Sequence, residues 1–273
     1  MAVTMADISH LRKMTGAGMM DCKNALTEAN GDFDKAMEII RKKGQAVAAK
    51  RSDRDASEGC VLAKTTGKYA AILALKCETD FVAKNDDFIK LTADILDLAM
   101  AEKPADLDAL LQLPFGDSTV AQAVTDRSGI TGEKMELDGY GFVEGEKASF
   151  YIHQGNKLAT IVSFNQDTTD EVAHEVAMQI AAMSPIAVNA DGVPADVLAR
   201  EKEIAADKAR QEGKPENLIE RIAAGRIGKF YKEVCLLEQE YVKDPSMTVG
   251  QFLDKSSKGL TVTAFKRVTL NED

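Results

Sequence analysis

Residues 67–86 read GKYAAILALKCETDFVAKND, and the fold is decided within this stretch. Residues 69–75 form an uninterrupted apolar run of the length of one strand, which predicts a buried strand. The following turn places the large ring of Phe81 between the charges of Asp80 and Lys84. Most aromatic residues near a strand end fold back onto their own core. The turn therefore poses a choice between a core ring and a displayed one.

Composition narrows the class of protein. The chain has 273 residues, 45% of them hydrophobic, which suits a globular protein of two or three domains. A net charge of −10 argues against nucleic acid as a partner, because phosphate binding needs a basic surface. No apolar run is long enough to cross a bilayer, so we expect no membrane partner. The start, MAVTMADISHLRK, lacks the apolar core of a secretory signal, which predicts a cytoplasmic protein.

The first predicted unit is a three-helix module over residues 1–44. Apolar residues at helical spacing mark three helices, the stretch TGAG at residues 15–18 separates the first two, and Asp32 is placed to cap the third. We expect Gly44 to end that third helix. Residues 45–59, QAVAAKRSDRDASEG, are polar without an apolar face and predict a linker.

The remainder predicts an α+β core in two related halves. Residues 60–143 form the first half, and residues 144–190 with 238–273 form the second. GKYAAILAL and, later, GNKLATIVSF each precede a helix, and this internal echo suggests a shared plan of hairpin, strand, loop and helix. The strand-to-helix connection is longer in the first half by about five residues, which fall within CETDFVAKN.

Residues 191–237 predict an inserted antiparallel helical hairpin. Pro194 stands at an expected first helical position, and Gly213, Lys214 and Pro215 turn the chain between two helices. The return helix is expected to carry its apolar residues along one side. They are Leu218, Ile222, Phe230, Tyr231, Val234 and Leu237. The charged tip is expected to project into solvent, and the hairpin is a candidate for self-association.

The sequence gives little support for an enzyme. Three histidines, at positions 10, 153 and 174, and four cysteines, at positions 22, 60, 77 and 235, are scattered without a metal-ligand spacing. The chain carries no glycine loop of the GxxxxGK type that would cradle phosphates. We therefore expect no enzyme activity, cofactor or metal, and reduced structural thiols.

Two longer stretches resemble a known family. TGAGMMDCKNALTEANGD at residues 15–32 and TDFVAKN at residues 79–85 are similar to the signature stretches of bacterial elongation factor Ts. The order of the predicted parts also resembles that family across nearly the whole chain. The resemblance implies a guanine-nucleotide exchange factor that binds elongation factor Tu, in its GDP-bound and nucleotide-free forms, and promotes GDP release.

The resemblance also implies which residues contact the partner. Asp80 and Phe81 would enter a cleft near the magnesium and phosphate sites, with Thr79 and Val82 shaping the turn. Weaker contacts implied in the same way are Arg12, Met19, Met20 and His153. The residues alone leave core filling open for the methionines, and an ordinary satisfied polar role open for His153.

A different binding class is the alternative. The N-terminal three-helix unit resembles ubiquitin-associated (UBA) modules, which would make the chain a UBA-type adaptor for ubiquitin-like folds without exchange activity. That interpretation leaves the TDFVAKN addition unexplained.

Overall fold

The computed structural model describes residues 3–270. Residues 1, 2 and 271–273, which the predicted domain ranges include, lie outside the described part. The described chain mixes helices and strands, in agreement with the predicted α+β class. It divides into two compact units. One comprises residues 3–62, 73–141 and 269–270, and the other comprises Ala63–Ile72 and Phe142–Val268.

Three helices open the chain: α1 (Met5–Thr15), α2 (Met19–Glu28) and α3 (Phe33–Lys50). Thr4 and Asp7 form a capping box at the start of α1, and Gly16, with φ of 70°, ends that helix. Asp32 caps α3 by accepting from the Lys35 amide, as predicted. The three helices share a small buried core, built mainly from Ile8, Leu11, Ala17, Cys22, Ala25, Leu26, Ala29 and Ala36.

The next segment supplies the first sheet and the helices around it. Its elements in chain order are β1 (Glu58–Thr65), β2 (Tyr69–Cys77), α4 (Asp80–Ala83), α5 (Asp86–Glu102), α6 (Leu107–Gln112), β3 (Pro114–Phe115), β4 (Ser118–Thr119), α7 (Val120–Thr131) and β5 (Met135–Glu144). The sheet has the order β1-β2-β5, and β3 pairs with β4 in a small antiparallel ribbon. Strand β2 is buried at every position except Lys76, as its apolar run predicts.

The last segment repeats the combination of strands and helices. Its elements are β6 (Lys147–Ile152), β7 (Leu158–Phe164), α8 (Asp170–Met183), α9 (Ala195–Gln211), α10 (Glu216–Val234), β8 (Glu240–Tyr241), β9 (Asp244–Thr248), α11 (Val249–Ser256) and β10 (Val262–Thr269). Two 3-10 helices lie at Ala190–Gly192 and Leu236–Glu238. The second sheet has the order β10-β7-β6, and its core packs on α8 and α11.

Helix α3 corrects one prediction. Gly44 does not end it, because the helix continues to Lys50 through the favourable helix formers of QAVAAK. Gly44 is instead a packing position, where α3 meets α7. A side-chain carbon added to Gly44 would lie 3.3 Å from the Cα of Gly129. A side-chain carbon added to Gly129 would lie only 2.1 Å from the Cα of Gly44, so the close approach of α3 and α7 leaves no room for a side chain at Gly129 and little at Gly44. The module and linker boundaries themselves stay a prediction.

Helices α9 and α10 pack against one another, and Arg226 on α10 donates to the Ala205 carbonyl on α9 at 3.0 Å. The apolar side predicted for the return helix is displaced in register over its first half. Leu218 is exposed, whereas Ile219, Ala223 and Ile227 are buried. Pro194 precedes the first helical residue of α9 and occupies the N-cap position, one residue earlier than predicted.

Adding a methyl group at Gly129 should test the close crossing of α3 and α7. Gly129→Ala places its Cβ into the backbone of Gly44, and overpacking of this kind costs about 1–3 kcal/mol of folding stability. Gly228→Ala is the matched control, since this helical glycine has open space around it. It should stabilise the protein by roughly 0.5–1 kcal/mol. Denaturant unfolding of both variants would measure the contrast, and equal stability would contradict the crossing.

Candidate functional site

A single helical turn, α4, displays the ring of Phe81. The turn follows directly on β2, and Phe81 exposes 85% of its surface, more than any other large hydrophobic residue in the described chain. Ala83 and Phe88, on either side of the connection to α5, are buried. Phe81 is therefore displayed and does not fold back onto the core, which decides between the two arrangements that the sequence left open.

The start of α4 is fixed by one carboxylate. Thr79 is the N-cap, and its hydroxyl accepts from the Val82 amide at 3.4 Å. The same hydroxyl donates to Glu133 Oε1 at 2.6 Å. Glu133 Oε2 accepts from the backbone amides of Glu78 at 3.2 Å and Thr79 at 3.0 Å. The polar groups released where β2 ends are thus satisfied by a side chain distant in sequence.

A second carboxylate, that of Glu78, accepts a hydrogen bond in the opposite direction, from the residue that follows Glu133. The Glu78 carboxylate accepts a hydrogen bond from the Lys134 amide at 2.6 Å. Its two oxygens also accept from Nη1 of Arg51, at 3.0 and 3.2 Å. Next to it, the buried Cys77 thiol donates to the Thr79 carbonyl at 3.3 Å. Burial, aided by the negative charge of Glu133, raises the pKa of Cys77 to about 12. Cys77 therefore stays a thiol and takes part in packing.

The far end of the turn is held separately. Asn85 caps α5 by accepting from the amides of Asp87 and Phe88. Arg127 on α7 donates to Asn85 Oδ1 at 3.0 Å and pairs with Asp87 at 3.3 Å. The Arg127 side chain is only 12% exposed, so its position is fixed by packing as well as by charge. Both ends of the displayed turn are thus fixed in the first unit.

Charges flank the ring within the turn itself. Asp80 and Lys84 form an exposed ion pair at 2.6 Å, one helical turn apart. The hydrogen bond that Lys84 donates to Asp80, together with the negative charge of Asp80, raises the pKa of Lys84. Val82 is half-buried. Of the four predicted residues of the motif, the turn therefore displays Phe81 most fully, while Thr79 is engaged in holding the turn.

The weaker set divides between the two units. Arg12 is exposed, Met20 exposes 63% of its surface, and Met19 is partly buried against the core of the three N-terminal helices. His153 lies in the second unit, where its Nδ1 is 2.9 Å from the Tyr151 hydroxyl. Tyr151 also contacts the ring of His174 edge-on. The exposed methionine and the exposed histidine are each available at a surface.

The described residues also bear on metal binding, membrane spanning and the state of the cysteines. Within residues 3–270, no group of histidine, cysteine and acidic residues is arranged to hold a metal ion. Over the same span, no helix combines the length and apolar character needed to cross a membrane. All four cysteines are buried, and none of them forms a disulfide.

Sequence reasoning found the ring and missed what holds it. Thr79 and Asn85 are recognisable as cap residues from their spacing within TDFVAKND. Glu133 and Arg127 carry no comparable signal, because they lie more than 40 positions away from their partners. Only the tertiary fold brings them to the turn. An aromatic ring held rigidly outside a core, at the end of a buried strand, defines a protein-binding class of site.

Comparison with known proteins identifies the family within that class. The family described as Elongation factor TS matches residues 78–272. The chain is 59% identical to Elongation factor Ts of Porphyromonas gingivalis over 274 residues, covering all of both chains. It is 53% identical to that of Bacteroides thetaiotaomicron over 330 aligned residues, again covering both fully, and 50% identical to that of Azobacteroides pseudotrichonymphae over 99% of each.

The chain therefore belongs to the elongation factor Ts family, as its two signature stretches suggested. Membership gives it the role of a nucleotide exchange factor in translation elongation.

Two phenylalanines of the same segment should respond oppositely to truncation. Phe81→Ala should change the free energy of unfolding by no more than about 0.5 kcal/mol, because the ring is exposed. Phe88→Ala, seven positions on in α5 and fully buried, should cost about 3–5 kcal/mol. Urea unfolding of both variants checks the contrast, and a large loss of stability in the first would show that Phe81 packs on the core.

Proposed function

We propose that this chain binds elongation factor Tu and promotes GDP release by inserting the Asp80-Phe81 turn near the magnesium and phosphate sites of the GTPase. The observation that carries the proposal is the exposed ring of Phe81 on a turn fixed at both ends. A ring in this setting loses little freedom when it meets a partner, so most of its contact energy remains available for binding.

Two forces would act during insertion. Transfer of a phenylalanine ring from water into an apolar cleft is favourable by roughly 1.5–3 kcal/mol, which helps to separate packed elements of the partner. The carboxylate of Asp80, brought near the phosphates of the nucleotide, would repel them. Since coupling between two ligands is reciprocal, a factor that weakens GDP binding is itself released when nucleotide rebinds. No covalent bond is made or broken in this mechanism.

We also propose four weaker contacts with the partner. Arg12, Met19 and Met20 would add an adaptable surface on the N-terminal helices, where the exposure of Met20 supports a contact role. His153 would add a contact from the second unit. The partner would be bound in its GDP-bound and nucleotide-free forms.

The architecture is proposed along the lines of the family. Residues 1–44 would be a UBA-like module joined by a linker at 45–59. Residues 60–143 would form one half of the core, and residues 144–190 with 238–273 the related second half. The helices at 191–237 would be an inserted hairpin that can support self-association. The protein would act in the cytoplasm, where translation takes place.

Truncation of Phe81 tests the proposal directly. Phe81→Ala should slow release of labelled GDP from elongation factor Tu by an amount equivalent to about 2–4 kcal/mol, the usual cost of removing an interface anchor. Met5→Ala is the matched control, since Met5 is another exposed apolar residue outside the predicted contacts. It should leave release unchanged. Equal release rates for wild type and Phe81→Ala at saturating concentration would refute the proposed insertion.

Charge at Asp80 should contribute differently. Asp80→Asn keeps the shape of the side chain, removes its charge and breaks its ion pair with Lys84. The loss in GDP release should be smaller than that for Phe81→Ala and should shrink between low salt and 1 M salt, where the Debye length falls to about 3 Å. The loss caused by Phe81→Ala should persist over the same range. A loss at Asp80 that is independent of salt would exclude an electrostatic role.

A capture experiment separates the proposal from the adaptor alternative. The immobilised chain should retain nucleotide-free elongation factor Tu and release it when GDP is added. Retention of a ubiquitin-like protein, regardless of guanine nucleotide, would favour the UBA-type adaptor.

A further inference from the structure

One segment of the chain supports the displayed turn from both sides. Helix α7 supplies Arg127, which donates to the Asn85 cap at 3.0 Å. Helix α7 ends at Gly132, and the next residue is Glu133. Its carboxylate accepts a hydrogen bond from the backbone at the start of the turn. The five residues between Thr79 and Asn85, which include Phe81, therefore lie between two attachments to the same neighbouring segment.

Glu133 makes the denser attachment. Its two oxygens receive three donors from two successive residues: the amides of Glu78 and Thr79, and the Thr79 hydroxyl at 2.6 Å. Hydrogen bonds to a charged acceptor are stronger than neutral ones. The Thr79 hydroxyl, oriented by its donation to Glu133, presents its lone pair to the Val82 amide. The carboxylate thus acts through Thr79 on the first turn of α4.

The position of Glu133 is itself secured. Its carbonyl accepts from the Ser128 hydroxyl at 2.5 Å, and its amide donates to the Thr131 hydroxyl at 3.3 Å. The next residue, Lys134, donates its amide to Glu78 at 2.6 Å. Each side of the junction therefore supplies one carboxylate to the backbone of the other. This reciprocal arrangement restricts both the Glu133 backbone and the residue at which the turn begins.

We infer that Glu133 is a positioning residue for nucleotide exchange, which holds the Thr79 turn so that Phe81 is presented in one orientation. The inference rests on the proposed function, in which Phe81 enters the partner. Fixing the backbone of a residue costs entropy on the scale of a tenfold change in an equilibrium constant. A turn ordered in the free protein avoids that cost when the complex forms.

A merely structural role for Glu133 predicts something different. A residue that only stabilises the fold would lower the melting temperature without a specific effect on exchange. A residue that contacts the partner independently would add its effect to that of Phe81. A residue that acts through Phe81 would show no further effect once the ring is gone, because there is nothing left to position.

The experiment combines four single variants with one double variant, and Phe81→Ala is one of the four. Glu133→Ala removes all three acceptor contacts, whereas Glu133→Gln keeps one oxygen for the two backbone amides and nearly the same shape. Glu136→Ala is the matched control, because Glu136 is exposed and forms only a 3.9 Å ion pair with Lys134. The double variant joins Glu133→Ala to Phe81→Ala. Amide hydrogen exchange at positions 79–82 and GDP release from elongation factor Tu are measured for each.

We expect faster amide exchange at positions 79–82 in Glu133→Ala and an approximately tenfold slower maximal GDP release, the scale of one ordered residue. Glu133→Gln should recover most of that loss, and Glu136→Ala should match wild type. The double variant should release GDP no more slowly than Phe81→Ala alone. If Glu133→Ala proves poorly folded, Thr79→Val tests the same link at constant volume and should give the same slow release.

Other outcomes would overturn the inference. Wild-type release by folded Glu133→Ala, or an additive loss in the double variant, excludes positioning through Phe81 and leaves the proposed function intact. Unchanged release by Phe81→Ala itself overturns the proposed function and the positioning role together.

Discussion

Burial of β2 is the constraint on which the rest of the site depends. The strand is central in its sheet and buried at every position except Lys76. Such a strand cannot shift by one residue without moving charge into the core, so its last residue, Cys77, is fixed. The point at which the chain reaches solvent is therefore fixed as well. Phe81 lies only four positions after Cys77, so the fixed end of β2 also restricts the position of Phe81.

Polar groups decide what happens at that exit. A backbone leaving a sheet carries amides that must find partners. At the end of β2 those partners belong to Glu133, and the turn that follows is helical because Thr79 caps it. Asn85 then ends the turn by capping α5, and Arg127 donates a hydrogen bond to Asn85. The ring is exposed on a turn that hydrogen bonds hold on both sides.

The second sheet shows how the same kind of connection is built without a displayed turn. Between β7 and α8 the chain takes only residues 165–169, against residues 78–85 between β2 and α5. Asn165 there donates to the Gly259 carbonyl and accepts from the Thr261 amide, and Thr169 caps α8 directly. The longer connection in the first case is occupied by α4. The first connection is three residues longer than the second, eight against five, which is fewer than the extra residues, about five, that the sequence predicted. The shared plan itself stays a prediction.

The sequence by itself determined the elements whose signals are local: the buried run of β2, the caps at Asp32 and Asn85, the break at Gly16, and the presence of an aromatic ring among charges. Spacing and side-chain chemistry act within one turn, so a single chain segment suffices to read them. Tertiary structure alone decided the packing role of Gly44 within α3, where its backbone lies close to Gly129. It also decided which face of α10 is buried, since Leu218 and Ile219 are equally apolar in sequence. The support of the displayed turn by Glu133 belongs with these, because a carboxylate can satisfy amides 54 and 55 positions away only after folding has brought them together.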